Sequence, residues 1–217
     1  MTERPDEIDF HLPNRGEDDR PGLDDADDFV DDEDLDGEDD DLDDEDEIDE
    51  DDDDYPDDAT DEDIDVAIAV YREEGQPTSI PLELEYVNDL DALIAYLRRL
   101  PGDAGAMAMI SLAGEVFILV RVRGKTVQVY ASDDTAATDW PIVRDIVDYL
   151  GEDIPDEDDE PESVGDAGIL SDIGLHEIDL EAITSDYDED SSVLLERIAT
   201  KIQFGVQFRA ALDNLDE

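Results

Sequence analysis

The chain has 217 residues, no cysteine, and 71 Asp and Glu residues against 13 Lys and Arg, for a formal net charge of −58 at pH 7. Disulfides, thiolate metal sites and cysteine nucleophiles are thereby excluded. Self-repulsion on that scale opposes compaction, so the acidic residues must be gathered where no core is needed.

They are: 25 of the 33 residues from Asp31 to Asp63 are Asp or Glu. Residues 1–63 carry too little apolar surface to offset chain entropy and are expected to form a disordered acidic tail. The first twenty residues have no apolar run of signal-peptide type and no stretch of the chain reaches membrane-spanning length, so a cytoplasmic setting is expected. Within the tail, Asp32, Asp34, Asp36, Gly37 and Asp43 fall at calcium-loop spacing. In a nearly all-acidic segment such spacing arises by chance, and neither flank has the helical periodicity that frames such a loop.

At Ile64 the pattern changes. Val66, Ile68 and Val70 alternate with Ala67, Ala69 and Tyr71, which predicts a strand, and a second extended run follows from Ser79 to Tyr86. Leu90, Leu93, Ile94 and Leu97 recur at helical spacing behind a capping Asn88 or Asp89, with Leu100-Pro101-Gly102 as the stop. Three strands then follow, Ala106–Leu112, Glu115–Val122 and Lys125–Ala131, joined by Ala113-Gly114 and Arg123-Gly124 hairpin turns. In the middle one, Val116, Ile118, Val120 and Val122 share one face, while Phe117, Leu119, Arg121 and Arg123 share a face that turns polar at its end. A helix from near Asp139 carries Ile142, Val143, Ile146, Val147 and Leu150 and stops at Gly151.

An acidic loop over 151–167 leads to a helical C-terminal lobe over 168–217 that packs on the 64–150 domain. This lobe includes Leu175 and Leu180, a helix from Ser191 through Ile202, and an apolar stripe of Phe204, Val206, Phe208 and Leu212. The fold class is α+β: a small, mostly antiparallel sheet in the order β-β-α-β-β-β-α followed by C-terminal helices, covered on one face by helices.

No constellation points to catalysis. His11 lies in the tail, His176 stands alone, and there is no glycine-rich phosphate loop. The zinc chemistry of nucleobase deaminases needs His and Cys ligands around a Glu, and a chain without Cys cannot supply it. No cofactor or metal site is expected. Direct nucleic-acid binding is disfavoured because the few cations are scattered; Arg121, Arg123 and Lys125 around one hairpin, with Arg98 and Arg99, come nearest to a basic patch. The tail has three readings, in descending order of weight a solubilising bristle, a polyanion that docks on a basic protein, and a nucleic-acid mimic. Trp140, Phe204 and Phe208 are either core anchors or partner-binding aromatics.

The segment from about Asp65 onward resembles the actinobacterial tRNA adenosine deaminase-associated proteins. The resemblance is carried by Val66-Ala67-Ile68-Ala69-Val70-Tyr71, Asp89-Leu90-Asp91-Ala92-Leu93, Glu115-Val116-Phe117-Ile118-Leu119-Val120-Arg121-Val122, Val129-Tyr130-Ala131-Ser132-Asp133-Asp134 and Ile169-Leu170-Ser171-Asp172-Ile173-Gly174-Leu175. It implies a noncatalytic accessory protein whose partner is a tRNA adenosine deaminase, and it supplies no functional residues to carry over. The long acidic tail departs from the shorter members. The alternative is an acidic interaction or structural protein unrelated to RNA modification, a holdase or a homodimer.

Overall fold

The structure is a computed structural model in which residues 55–102, 105–156 and 159–215 are described. The acidic run expected to be disordered lies mostly outside them, as do the calcium-like spacing at 32–43 and His11. In chain order the elements are β1 (Ile64–Glu73), β2 (Gln76–Pro81), α1 (Glu85–Asn88), α2 (Leu90–Leu97), β3 (Ala106–Leu112), β4 (Val116–Arg123), β5 (Thr126–Ala131), α3 (Pro141–Leu150), β6 (Val164–Gly165), α4 (Glu177–Thr184), α5 (Ser191–Lys201) and α6 (Gly205–Leu215). The strands form one antiparallel sheet in the order β2-β1-β3-β4-β5-β6. The α+β class with an antiparallel sheet is thus the observed one.

The hairpin turns have a local cause. Glu74 and Gly75, the two residues between β1 and β2, both have positive φ, 51° and 80°, the pairing that matches the right-handed twist of two strands so joined; in the three-residue connection between Leu112 and Val116, Ala113 and Gly114 are also left-handed, at 52° and 69°. Ala113 bears the cost of its Cβ in that left-handed region. Ala113→Gly is therefore expected to raise stability by about 0.5–1 kcal/mol, the relief exceeding the added chain entropy. A urea unfolding midpoint that fails to rise would contradict this. At the start of β1 the register slips between Ile64 and Val66, a bulge that leaves the Asp65 carboxylate to accept from the Gly114 N–H at 2.6 Å and from Ser111 Oγ at 3.3 Å.

Both faces of the sheet are covered, which corrects the expectation of helices on one face. Ala69, Ile110, Ile118 and Val120 pack with Leu93, Leu97, Ile142 and Ile146 of α2 and α3 in one core. Ile68, Met109, Phe117 and Leu119 pack with Leu180, Leu195, Ile198 and Phe208 of α4 to α6 in a second. The reason is visible in β3, which is buried at all seven positions: a central strand apolar on both sides needs a layer on each. Two further corrections are local. The run after Ser79 is not extended to Tyr86, since β2 ends at Pro81 and α1 begins at Glu85. The loop over 151–167 contributes β6, whose Gly165 has φ 106° and passes so close to the Val129 carbonyl that a Cβ there would overlap it.

Arg121, at the end of the face expected to turn polar, is buried, its side chain 3% exposed. Its guanidinium donates to the Ile169 carbonyl at 2.7 Å and to both oxygens of Asp172, at 2.5 and 3.0 Å. This pair fastens the 3-10 turn Ser171–Ile173 to the second face of the sheet.

Candidate functional site

Residues 55–63, read from composition as tail, continue the chain onto the α2–α3 face. Ala59 is 1% exposed in the first core, and the Asn88 side chain clasps its backbone: the Ala59 N–H donates to Asn88 Oδ1 at 2.8 Å and Asn88 Nδ2 donates to the Ala59 carbonyl at 3.0 Å. Tyr55 then reaches α3. Its hydroxyl donates to Asp145 Oδ1 at 3.1 Å, and the Arg144 guanidinium lies over its ring at 5.2 Å. Burial, followed by the adjoining Asp145 carboxylate, pushes Tyr55 up to about 12, so it remains a donor at any physiological pH.

These contacts border a groove made of two adjoining hollows of about 610 and 300 Å³ that share Asp89, Asp91 and Asp145. Two of the carboxylates are occupied by the fold. Asp89 caps α2 by accepting from the Ala92 N–H at 2.7 Å, and Asp145 accepts from the Leu90 N–H at 3.1 Å, tying α3 to the positive end of α2. Asp58, Glu85, Asp91 and Asp148 are exposed to solvent around them. Among these acids sit Tyr55, Leu84 and Tyr149, exposed at 50, 40 and 51%. Three large apolar side chains ringed by carboxylates suit recognition of a basic surface with apolar anchors.

Elsewhere the chemistry is structural. Ser111 and Ser191 share a 2.6 Å hydrogen bond, both are fully buried, and together they seat α5 on the sheet. His176 is an exposed residue preceding α4. Among the described residues no group of three or more His, Cys, Asp or Glu could hold a metal ion, and no helix is long and apolar enough to cross a membrane.

The three aromatics singled out from the sequence are not brought together. Trp140 is half-buried against the first core at the start of α3, whereas Phe204 and Phe208 are 5 and 0% exposed in the second. The guanidinium of Arg72 also covers Phe204, 4.8 Å from its ring centre. The groove residues were not singled out, although one carried a signal. Tyr149 is an aromatic set beside Asp145 and Asp148, off the Ile142, Val143, Ile146, Val147 stripe that a helix of that period buries.

Comparison with known proteins places the chain. The family model described as Rv3753c-like tRNA adenosine deaminase-associated protein matches residues 65–205, which include the groove except for Tyr55 and Asp58. Protein Rv3753c of Mycobacterium tuberculosis is 34% identical over 151 residues, covering 68% of this chain and 87% of that protein. No solved structure matches. The chain belongs to the Rv3753c-like tRNA adenosine deaminase-associated protein family.

Proposed function

We propose that the protein is a noncatalytic accessory subunit that binds a tRNA adenosine deaminase through the acidic groove between α1, α2 and α3. The observation that carries this reading is the set of exposed Tyr55, Leu84 and Tyr149 side chains held within carboxylates. An enzyme that grips tRNA must present cationic surface to phosphates, and the flank of such a surface is the complement of this groove. The family description supports a tRNA adenosine deaminase as the partner; the groove offers a surface suited to it.

The test is the affinity of the full chain for the deaminase of the same organism, with Asp91→Lys and Asp148→Lys combined, and with Tyr149→Ala. All three side chains are exposed, so folding is not at stake. The charge reversal is expected to weaken binding at least tenfold, about 1.4 kcal/mol, at physiological salt, with a smaller loss at high salt where exposed charges are screened. Affinity unchanged by both variants would remove the groove from the interface.

A second reading, an interaction protein unrelated to RNA modification, has one observation in its favour. Ile183, Val193, Arg197 and Lys201 help line a mostly apolar hollow of about 370 Å³ between α4 and α5, and Ile178 of α4 is 75% exposed. Self-association of the chain without uptake of the deaminase would favour that reading.

A further inference from the structure

In a protein where carboxylates outnumber cations 71 to 13, every Lys and Arg could find a partner. Five of those described do so in ion pairs: Arg121, Arg123, Arg197, Lys201 and Arg209. Arg144 stacks on Tyr55. Arg72 lies over Phe204 and donates to the Ile202 carbonyl at 3.4 Å; Arg98, Arg99 and Lys125 make no carboxylate ion pair among the described residues, and the topology gathers all four at one end of the sheet.

That placement follows from register. β1 ends beside Arg72, and β4 and β5 meet at the Arg123-Gly124-Lys125 turn. Arg98 and Arg99 end α2 and open the loop that enters β3 at Ala106, which pairs with Val122. The loop is pressed onto this end: a Cβ at Gly102 would stand 3.4 Å from the Arg72 carbonyl, and one at Gly105 would overlap the Val122 carbonyl and lie 3.0 Å from Arg123 Cβ. Arg98, Arg99 and Lys125 are exposed. Arg99 spends only its Nε, on the Ala95 carbonyl at 3.1 Å, and keeps its terminal nitrogens. Glu73 and Glu74 share this end without pairing to any of the four. The negative end of α2 favours Arg98 and Arg99, but Lys125 is on a hairpin, where no helix terminus accounts for it.

We propose that this end contacts the phosphate backbone of tRNA once the chain is docked on the deaminase, an inference that rests on the reading of the acidic groove above. With a net charge of −58 the free chain repels RNA, so the contact operates only where the enzyme supplies the bulk of the positive field. The distances suit it. α2 spans eight residues, roughly 12 Å, with Asp89 and Asp91 at its groove end and Arg98 and Arg99 at the other. A partner seated in the groove therefore has its surface within about one helix length of Arg98 and Arg99.

The experiment measures binding of a tRNA carrying a wobble adenosine to the deaminase alone, with saturating full chain, and with the Arg98→Glu, Arg99→Glu, Lys125→Glu variant, across salt. The wild-type chain is expected to tighten tRNA binding about tenfold. The variant should lose that gain and flatten the salt slope by about 2, as expected for three lost phosphate contacts. Equal affinity with wild type and variant, or weaker tRNA binding when the chain is added, would overturn the inference. Deaminase binding without tRNA is scored in parallel. A complex that forms with no effect on tRNA sinks this inference alone, whereas no complex sinks the accessory-subunit reading and this one with it.

Discussion

Replacing Phe208 with alanine is expected to destabilise the folded protein by about 3–5 kcal/mol, the cost of removing a fully buried aromatic ring from a packed core. Phe208 is 0% exposed and sits in α6, the helix that lies over β2 and packs against α5. It shares the second core with Val70, Ile198, Ile202 and Phe204, side chains drawn from β1, α5 and the turn between α5 and α6. Ser79 Oγ donates to the Gln207 carbonyl at 3.0 Å, which holds the α6 backbone in place beside the vacated volume. The cavity cannot simply collapse. Domains of this size are stable by about 5–15 kcal/mol, so the loss should be plain as a lower urea midpoint with an unchanged slope. An interface anchor would behave in the opposite way: full stability retained, affinity for the deaminase lost. That second pattern would mean that the stripe from Phe204 to Phe208 leaves the core in the working protein.

Asp172→Ala is the second substitution with a large expected effect, about 2–3 kcal/mol. It removes the carboxylate that the buried Arg121 guanidinium meets with two nitrogens, and breaking such a pair from one side costs more than the pair itself contributes. The value lies below the roughly 3–5 kcal/mol of a fully buried pair because Asp172 is 45% exposed while Arg121 is 3% exposed, so water shares part of the interaction. The pH dependence has a definite sign. The Arg121 hydrogen bond, reinforced by the charges of Arg121 and Arg123, holds the Asp172 carboxyl below its ordinary value of 3.8, against the opposing effect of burial. A carboxyl whose folded value is depressed contributes stability that is complete above its unfolded value and is lost as pH falls through the folded one. The gap between wild type and Asp172→Ala should therefore be constant from neutrality down to about pH 5 and close below 3.8. Taking the difference between the two proteins cancels the titration of the many other carboxylates. A gap that stays open in strong acid would show that Asp172 acts through packing and not through charge.

How much of this was legible in the sequence depends on the range of the interaction. Strands β3, β4 and β5 stood out because Ala113-Gly114 and Arg123-Gly124 punctuate alternating apolar runs, and α3 because Pro141 and Gly151 mark its ends; its Gly151 has φ 73°. These are local signals, set by backbone sterics within a few residues. The family could be recognised because its strand and helix segments are themselves such local patterns.

The covering of the sheet was not local. Periodicity assigns Phe117, Leu119 and Arg121 to one face of β4, yet only the return of α4 to α6 shows that this face is a second core and that Arg121 meets Asp172, 51 residues away, inside it. The groove was hidden for the same reason. Tyr55 and Asp145 are 90 residues apart, and no period in the chain relates them. The scattered cations Arg72, Arg98, Arg99 and Lys125 became neighbours only through strand register and the loop into β3. By itself the sequence determined the acidic composition, the absence of cysteine chemistry, most of the element types and the family, because each follows from residue identity or short-range spacing. Tertiary structure alone decided which faces are buried, which charges are paired and which surfaces remain for a partner, because those depend on contacts between segments far apart in the chain.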